Sequence, residues 1–87
     1  MANTVDAGQP IREQVATWTR ERNLDYNIEI IAGKIAIKIS HAIALANDLK
    51  DALRMFFVEI AQTFGLRVIA IQRHDAGRGM SCAFEYR

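Results

Sequence analysis

Four side chains in this sequence could support catalysis or metal binding: two histidines, an aspartate and a cysteine. They are His41, His74, Asp75 and Cys82. A cysteine beside an imidazole can form a reactive thiolate, and the same residue types bind zinc. None of the four has the close spacing of a zinc motif, and Cys82 alternates with the apolar residues Met80 and Phe84. We therefore expect a buried, inert thiol, no metal, no cofactor and no catalytic site.

A short glycine-rich stretch at residues 76–79, Ala-Gly-Arg-Gly, could bind an anion through its backbone amides. It joins two predicted strands, precedes no helix and lacks the Gly-Lys-Ser/Thr ending of a nucleotide-binding loop. An ordinary hairpin turn is therefore the better interpretation.

Basic side chains around the same turn suggest a second class of function, nucleic-acid binding. The candidate contacts to nucleic acid or an anion are Arg73, His74, Arg78 and Lys38. Arginines on a protruding β-hairpin can contact phosphates. The chain as a whole carries eleven basic and ten acidic residues, a net charge of +1, which gives this alternative little general support.

The size and composition favour a small domain that associates with something else. The chain has 87 residues, and 51% of them are hydrophobic. A domain this short buries only about 60–65% of the surface that its unfolded chain exposes. One cysteine allows no internal disulfide, and we expect a cytoplasmic protein without a signal peptide. No apolar run approaches the roughly 20 residues that span a bilayer, so we expect no membrane association.

The clearest element is a helix over residues 48–65. Asp48 is the expected N-cap, with Asn47 as the alternative, and Gly65 is the expected end. One broad face is apolar at helical spacing and should form the centre of the core. Its members are Leu49, Ala52, Leu53, Phe56, Phe57, Ile60 and Phe64.

The opposite side of this helix carries an unexpected apolar stripe. This stripe consists of Asp51, Met55, Val58 and Gln62. Met55 and Val58 are apolar side chains on the side of the helix that should be exposed to solvent. We predict that these four residues, together with Trp18, form a partner interface. Scattered surface apolar residues are the alternative explanation.

The remaining segments predict a second helix and four strands. We expect disorder over residues 1–9 and one α+β domain over residues 10–87. A helix of about fourteen residues should begin at Pro10 and carry Ile11, Val15 and Trp18 on one stripe. Alternation over residues 26–40, broken at Ala32-Gly33, predicts a β-hairpin.

The region after this hairpin is harder to assign. Residues 41–46 could extend the strand or begin a helix, and we favour an irregular connection. Residues 67–73 are apolar on both sides, which predicts a central strand covered on both faces. A turn over residues 74–79 and an alternating strand over residues 80–86 complete the chain.

The resulting fold class is α+β: an N-terminal helix, then hairpin–helix–hairpin, with a four-stranded, mostly antiparallel sheet and one long helix across a face. A β-grasp sheet, in which the parallel first and last strands lie in the middle, has the same element order and is the alternative. The far face of the sheet should need a cover, either the N-terminal helix or a second molecule. It would show Ile31, Ala36, Lys38, Val68, Ala70 and Ala83.

These patterns together predict a non-enzymatic protein–protein interaction module. We expect a homodimeric regulator or inhibitor that binds an unidentified protein or another macromolecule. Nucleic-acid binding by the C-terminal hairpin is the alternative.

Overall fold

A computed structural model describes residues 8–87 of the chain. Its elements are α1 (Gly8–Glu21), β1 (Asp25–Ile31), β2 (Lys34–Ser40), α2 (Asn47–Phe64), β3 (Leu66–His74), a 3-10 turn (Asp75–Gly77) and β4 (Gly79–Tyr86). This order confirms the predicted N-terminal helix followed by hairpin, helix and hairpin. Helix α1 begins two residues before Pro10, so Gly8 and Gln9 of the segment expected to be disordered, residues 1–9, are helical. Residues 1–7 of that segment lie outside the described residues.

The four strands form one sheet in the order β1-β2-β4-β3, and every neighbouring pair is antiparallel. The two hairpins therefore lie side by side, with β2 and β4 in the centre. This arrangement excludes the β-grasp alternative, because its two central strands are antiparallel.

Strand β3 lies at an edge of the sheet, so the prediction of a central strand covered on both faces was wrong. Its two-sided apolar pattern has a local cause, a β-bulge at Ile69. Val68 pairs with Phe84 and Ala70 with Ala83, which leaves Ile69 unpaired between them. A bulge of this kind places two successive residues on the same face, so the alternation is interrupted without the strand being buried.

The hydrophobic core lies between one face of the sheet and the two helices. Its strand residues include Ile35, Ile37, Ile39, Met80, Cys82 and Phe84, all essentially inaccessible to solvent. Leu53, Phe56, Phe57 and Ile60 of α2 pack onto them, which confirms the predicted apolar face of this helix. A fully buried side chain of this size contributes about 1.5–3 kcal/mol, so this layer supplies most of the stability.

Helix α1 packs on the same face of the sheet as α2. Ile11 and Val15 are fully buried in the common core. Trp18 stacks on Phe56 of α2, with ring centroids 4.5 Å apart and an interplanar angle of 14°. The prediction that α1 could cover the far face of the sheet was therefore wrong.

Of the two predicted ends of α2, the C-terminal one is confirmed and the N-terminal one is not. Gly65 ends the helix in the left-handed region, at φ 67°, and its N–H bonds the carbonyl of Ala61. At the start, Ala46 occupies the cap position without a side-chain hydrogen bond, and the helix begins at Asn47. The predicted cap at Asp48 was wrong by two residues, and the Asp48 carboxylate instead accepts from the N–H of Leu49.

Residues 41–46 form an irregular connection, as expected. Leu45 is buried, and its N–H bonds the carbonyl of Gly77, while the N–H of His41 bonds the carbonyl of Arg78. The connection is thus held against the turn between β3 and β4, and it brings the start of α2 beside that turn.

Candidate interaction surfaces

The outer stripe of α2 points away from the core. Met55 is 73% exposed and Val58 is 45% exposed, both high values for apolar side chains. With Arg54, Glu59 and Gln62 they line a shallow cleft of about 450 Å³ along the helix. Asp51 extends the stripe by one turn, and its carboxylate pairs with Arg54 at 2.9 Å. Four of the five residues predicted as a partner interface therefore share one side of α2.

Trp18, the fifth predicted interface residue, lies elsewhere. Its ring is held between Phe56 and the guanidinium of Arg22, which is 4.0 Å from the ring centroid. A cation over a tryptophan face and a stacked aromatic ring both stabilise this position. Trp18 thus docks α1 onto α2 within the same chain.

The second surface is the face of the sheet opposite the helices, which we call the open face. In the antiparallel register its side chains form four rows that run across the strands from β1 to β3. The rows are Ile31-Lys34-Glu85-Arg67, Glu29-Ala36-Ala83-Ala70, Asn27-Lys38-Ser81-Gln72 and Asp25-Ser40-Gly79-His74. Within residues 8–87, neither helix packs on this face, and the Asp75 side chain lies over Gly79 at its fourth row, where it pairs with Lys38.

The second row forms the floor of an apolar groove. Ala36 and Ala83 are direct partners on the central strands, and their small side chains leave the backbone close to the surface. Ile31 and the bulged Ile69 stand on either side, 68% and 48% exposed. These residues line a cavity of about 380 Å³. Its exposed isoleucines give the open face a local apolar area that a partner could cover.

The charges on the open face balance. Three basic side chains, Lys34, Lys38 and Arg67, share it with three acidic ones, Asp25, Glu29 and Glu85. Arg67 pairs with Glu85 within the chain and, with a smaller contribution from Lys34, holds the pKa of that carboxyl below its usual range. A surface with alternating charge fits a protein better than a nucleic acid.

The predicted basic cluster does not form one patch. Lys38 Nζ lies 3.1 Å from the Asp75 carboxylate, and Arg78 Nε donates to the Asp75 carbonyl at 3.0 Å. His74 Nε2 lies 2.6 Å from Ser81 Oγ on the open face. Arg73 pairs with Met80 and belongs to the opposite, helix-covered face. Internal contacts therefore engage three of the four candidates and separate them from the fourth.

A different basic pair does meet near the turn. Lys50, in the first turn of α2, and Arg73 both line a cleft of about 460 Å³ that the turn residues 74–77 close on one side. Neither cation has an ion pair with any acidic residue in the described part of the chain. Sequence analysis missed Lys50, because only the fold of residues 41–46 brings it beside the hairpin.

The side chains considered for catalysis lie apart. Cys82 is fully buried on the helix-covered face, and burial raises the pKa of its thiol to about 12. His74 occupies the open face, and His41 lies in the connection, where its Nδ1 accepts from the N–H of Ile43. Among residues 8–87, no three histidine, cysteine or acidic side chains are placed to hold a metal ion.

No helix in the described region is long and apolar enough to cross a membrane. Comparison with known proteins adds no relative: no family model, no curated protein and no solved structure matches this chain significantly.

Proposed function

We propose that this chain is a non-enzymatic protein–protein interaction module, a homodimeric regulator or inhibitor that acts by binding another protein. The observation that carries the proposal is the position of its exposed apolar surface. The domain has two such surfaces, the α2 stripe and the open face, on opposite sides of its core. One can serve self-association while the other remains free for a partner.

The α2 stripe suits the apolar face of an amphipathic helix from a partner protein. Asp51, Met55, Val58 and Gln62 follow one another at intervals of four, three and four residues, the spacing of a helix–helix seam. The charged neighbours Arg54 and Glu59 flank the two apolar positions and would fix the orientation of the partner. A methionine at the centre adapts its shape to the incoming side chains.

The environment of the thiol supports a non-enzymatic role. Nucleophilic catalysis by cysteine needs an accessible thiolate beside a base. Cys82 is inaccessible, its pKa is raised, and His74 lies on the other face of the sheet.

The stripe is tested by crosslinking followed by measured affinities. A photo-crosslinking amino acid placed at Met55 should capture one dominant protein in cells, and the same group placed at the exposed Glu13 of α1 should not. The captured protein is then purified and titrated against the chain. Val58→Glu should weaken this binding at least about tenfold, because it places a charge in a desolvated contact.

Thr63→Glu is the matched control, since Thr63 is exposed on the same helix outside the cleft. It should bind as the unchanged chain does. Equal effects of the two substitutions would show that the stripe is not the binding surface.

Nucleic-acid binding by the C-terminal hairpin is the second candidate, and the cleft between Lys50 and Arg73 favours it. Phosphate contacts by these cations would give an affinity that falls steeply with salt. Replacing Arg73 and Arg78 with alanine, with Lys50→Ala as a third change, should then abolish the shift of a labelled single-stranded or duplex probe at low salt. The absence of any shift with the unchanged chain would exclude this candidate.

A further inference from the structure

We infer that the open face is the homodimer surface, and that two copies pack sheet against sheet about a twofold axis that runs along the strands between β2 and β4. The inference deepens the proposed function and rests on its homodimer. The surface itself, its occupant and its geometry follow from the register of the sheet.

The area of the open face suits a small interface. Four strands about 4.8 Å apart, taken over the seven paired positions of β1 and β2 at about 3.3 Å per residue, cover roughly 450 Å² in flat projection. The relief of the isoleucine side chains raises the accessible area above that value. A standard interface buries about 800 Å² per partner, and weaker, reversible ones bury less. We therefore expect a dimer that dissociates on dilution.

A twofold axis along the strands maps each row of the open face onto the same row of the partner. Strand β1 then faces the partner's β3, and β2 faces the partner's β4. In the first row, Lys34 of each copy meets the partner's Glu85. In the second row, Ala36 meets the partner's Ala83, and two small side chains allow the sheets to approach closely.

The outer strands are complementary in the same arrangement. Ile31 on β1 faces the partner's Arg67 in the first row and lies next to the partner's bulged Ile69, so the two most exposed isoleucines of this face meet beside the alanine floor. At the other end of the strands, Asp25 faces the partner's His74. Each contact occurs twice, as an isologous interface requires.

A twofold axis across the strands, placed along the alanine row, would bring like charges together. Such an axis would exchange the first and third rows of each strand. Lys34 would then face the partner's Lys38, and Ile31 would face the partner's Asn27. Like charges in direct opposition are strongly unfavourable, so an axis along the alanine row is excluded, whereas the axis along the strands pairs Lys34 with the partner's Glu85.

The test is a pair of charge reversals measured separately and together. The chain has a mass of 9.8 kDa, and sedimentation or light scattering should give about twice this value for the unchanged protein. Lys34→Glu alone places two negative charges opposite each other, at position 34 and at the partner's Glu85. Glu85→Lys alone places two positive charges there. Each variant should dissociate at least about tenfold more readily. Mixing the two variants should restore a dimer, because one copy of each regains both ion pairs.

Three further results separate the possible failures. Ala36→Glu, which alters an exposed strand residue, should also give a monomer. Met55→Glu should keep the dimer, since the α2 stripe is not in this interface. Loss of the dimer with Met55→Glu but not with Ala36→Glu would overturn the inference and assign self-association to α2. A monomeric unchanged protein, or two single variants whose mixture stays monomeric, would overturn it as well.

Partner binding by the α2 stripe is measured by titration, independently of the masses that report the dimer. If the charge reversals behave otherwise than stated while Val58→Glu still weakens partner binding, the open-face dimer is wrong and the partner site on α2 stands. If Val58→Glu has no effect while the mixed variants form a dimer, only the stripe is excluded as the partner site.

Discussion

At the scale of single residues, two ion pairs involve the charged side chains of the last hairpin. Lys38 contacts Asp75, and Arg67 contacts Glu85. The sequence could not show these pairs, since each joins residues of different elements that meet only after folding. The alternation of the strand, however, already implies that Arg73 and His74 point to opposite faces, which argues against the predicted single basic cluster.

The Lys38–Asp75 pair has a measurable signature in acid. The hydrogen bond and charge of Lys38 hold the pKa of Asp75 below its ordinary value of 3.8. Because this pKa is lowered in the folded chain, the pair stabilises the fold above pH 3.8, and the contribution is lost as the pH falls through the lowered pKa. Lys38→Met should raise the Asp75 pKa toward its ordinary value, measured by carboxyl NMR across a pH titration.

Lys34→Met is the control for this titration. Lys34 acts on the carboxyl of Glu85 and is not among the groups that shift Asp75. It should therefore leave the Asp75 pKa unchanged. An equal response to both substitutions would mean that general charge, not the contact with Lys38, sets this pKa.

The buried thiol gives a second prediction at this scale. Burial raises the pKa of Cys82 from 9.0 to about 12, so the folded chain keeps its thiol protonated when an unfolded chain would ionise. Stability should be constant with respect to this group below pH 9, and should decline as the pH rises from there toward 12. A thiol reagent at pH 8 should label Cys82 only after unfolding. Prompt labelling of the native chain, with circular dichroism unchanged, would contradict the burial.

At the scale of elements, the sequence predicted the features that depend on neighbouring residues, namely the hairpins and the end of α2. Alternation identified both hairpins, and Gly65 marked the end of α2 in the left-handed region. The edge position of β3 was missed because strand order depends on pairing between distant segments. Because the bulge was not predicted, Ile69 was not assigned to the open face, and Val68 was assigned to it although it packs against the core. Ile31, Ala36, Lys38, Ala70 and Ala83 were assigned to this face correctly.

The first hairpin contains a strained residue that a substitution can relieve. Ala32 has φ 51° and Gly33 has φ 79°, so both central residues of the two-residue turn are left-handed. Asparagine and glycine suit these positions, whereas alanine costs about 1–2 kcal/mol in this region. Ala32→Asn should raise the free energy of unfolding by about 1 kcal/mol, measured by urea denaturation.

Ala44→Asn controls for the general effect of an added amide. Ala44 is exposed in the connection before α2 and lies outside the left-handed region. It should change stability little. If Ala32→Asn stabilises no more than Ala44→Asn, the turn is not strained at Ala32.

At the scale of the whole molecule, the two surfaces imply an assembly with a definite shape. Both helices lie on one side of the sheet, so dimerisation through the open face would give four layers with helices outermost. Each copy would present its α2 stripe on an opposite outer surface. Such a dimer is bivalent, and linked binding sites raise the apparent affinity for a repeated partner without any new contact.

The packing of Trp18 decides whether α1 belongs to its own subunit in this assembly. Trp18 is the single tryptophan of the chain, and it lies between Phe56 and Arg22 of the same copy. Dissociation through the open face should leave this environment intact. Tryptophan emission should therefore stay constant across a dilution series in which sedimentation shows the dimer separating.

Urea provides the positive control, because unfolding removes the stacked ring and should shift the emission to longer wavelength. An emission shift that follows dissociation would instead show that α1 docks on the neighbouring copy. In that case Trp18 would be part of an interface between subunits. With constant emission, the helical layer of each subunit is complete before the subunits associate.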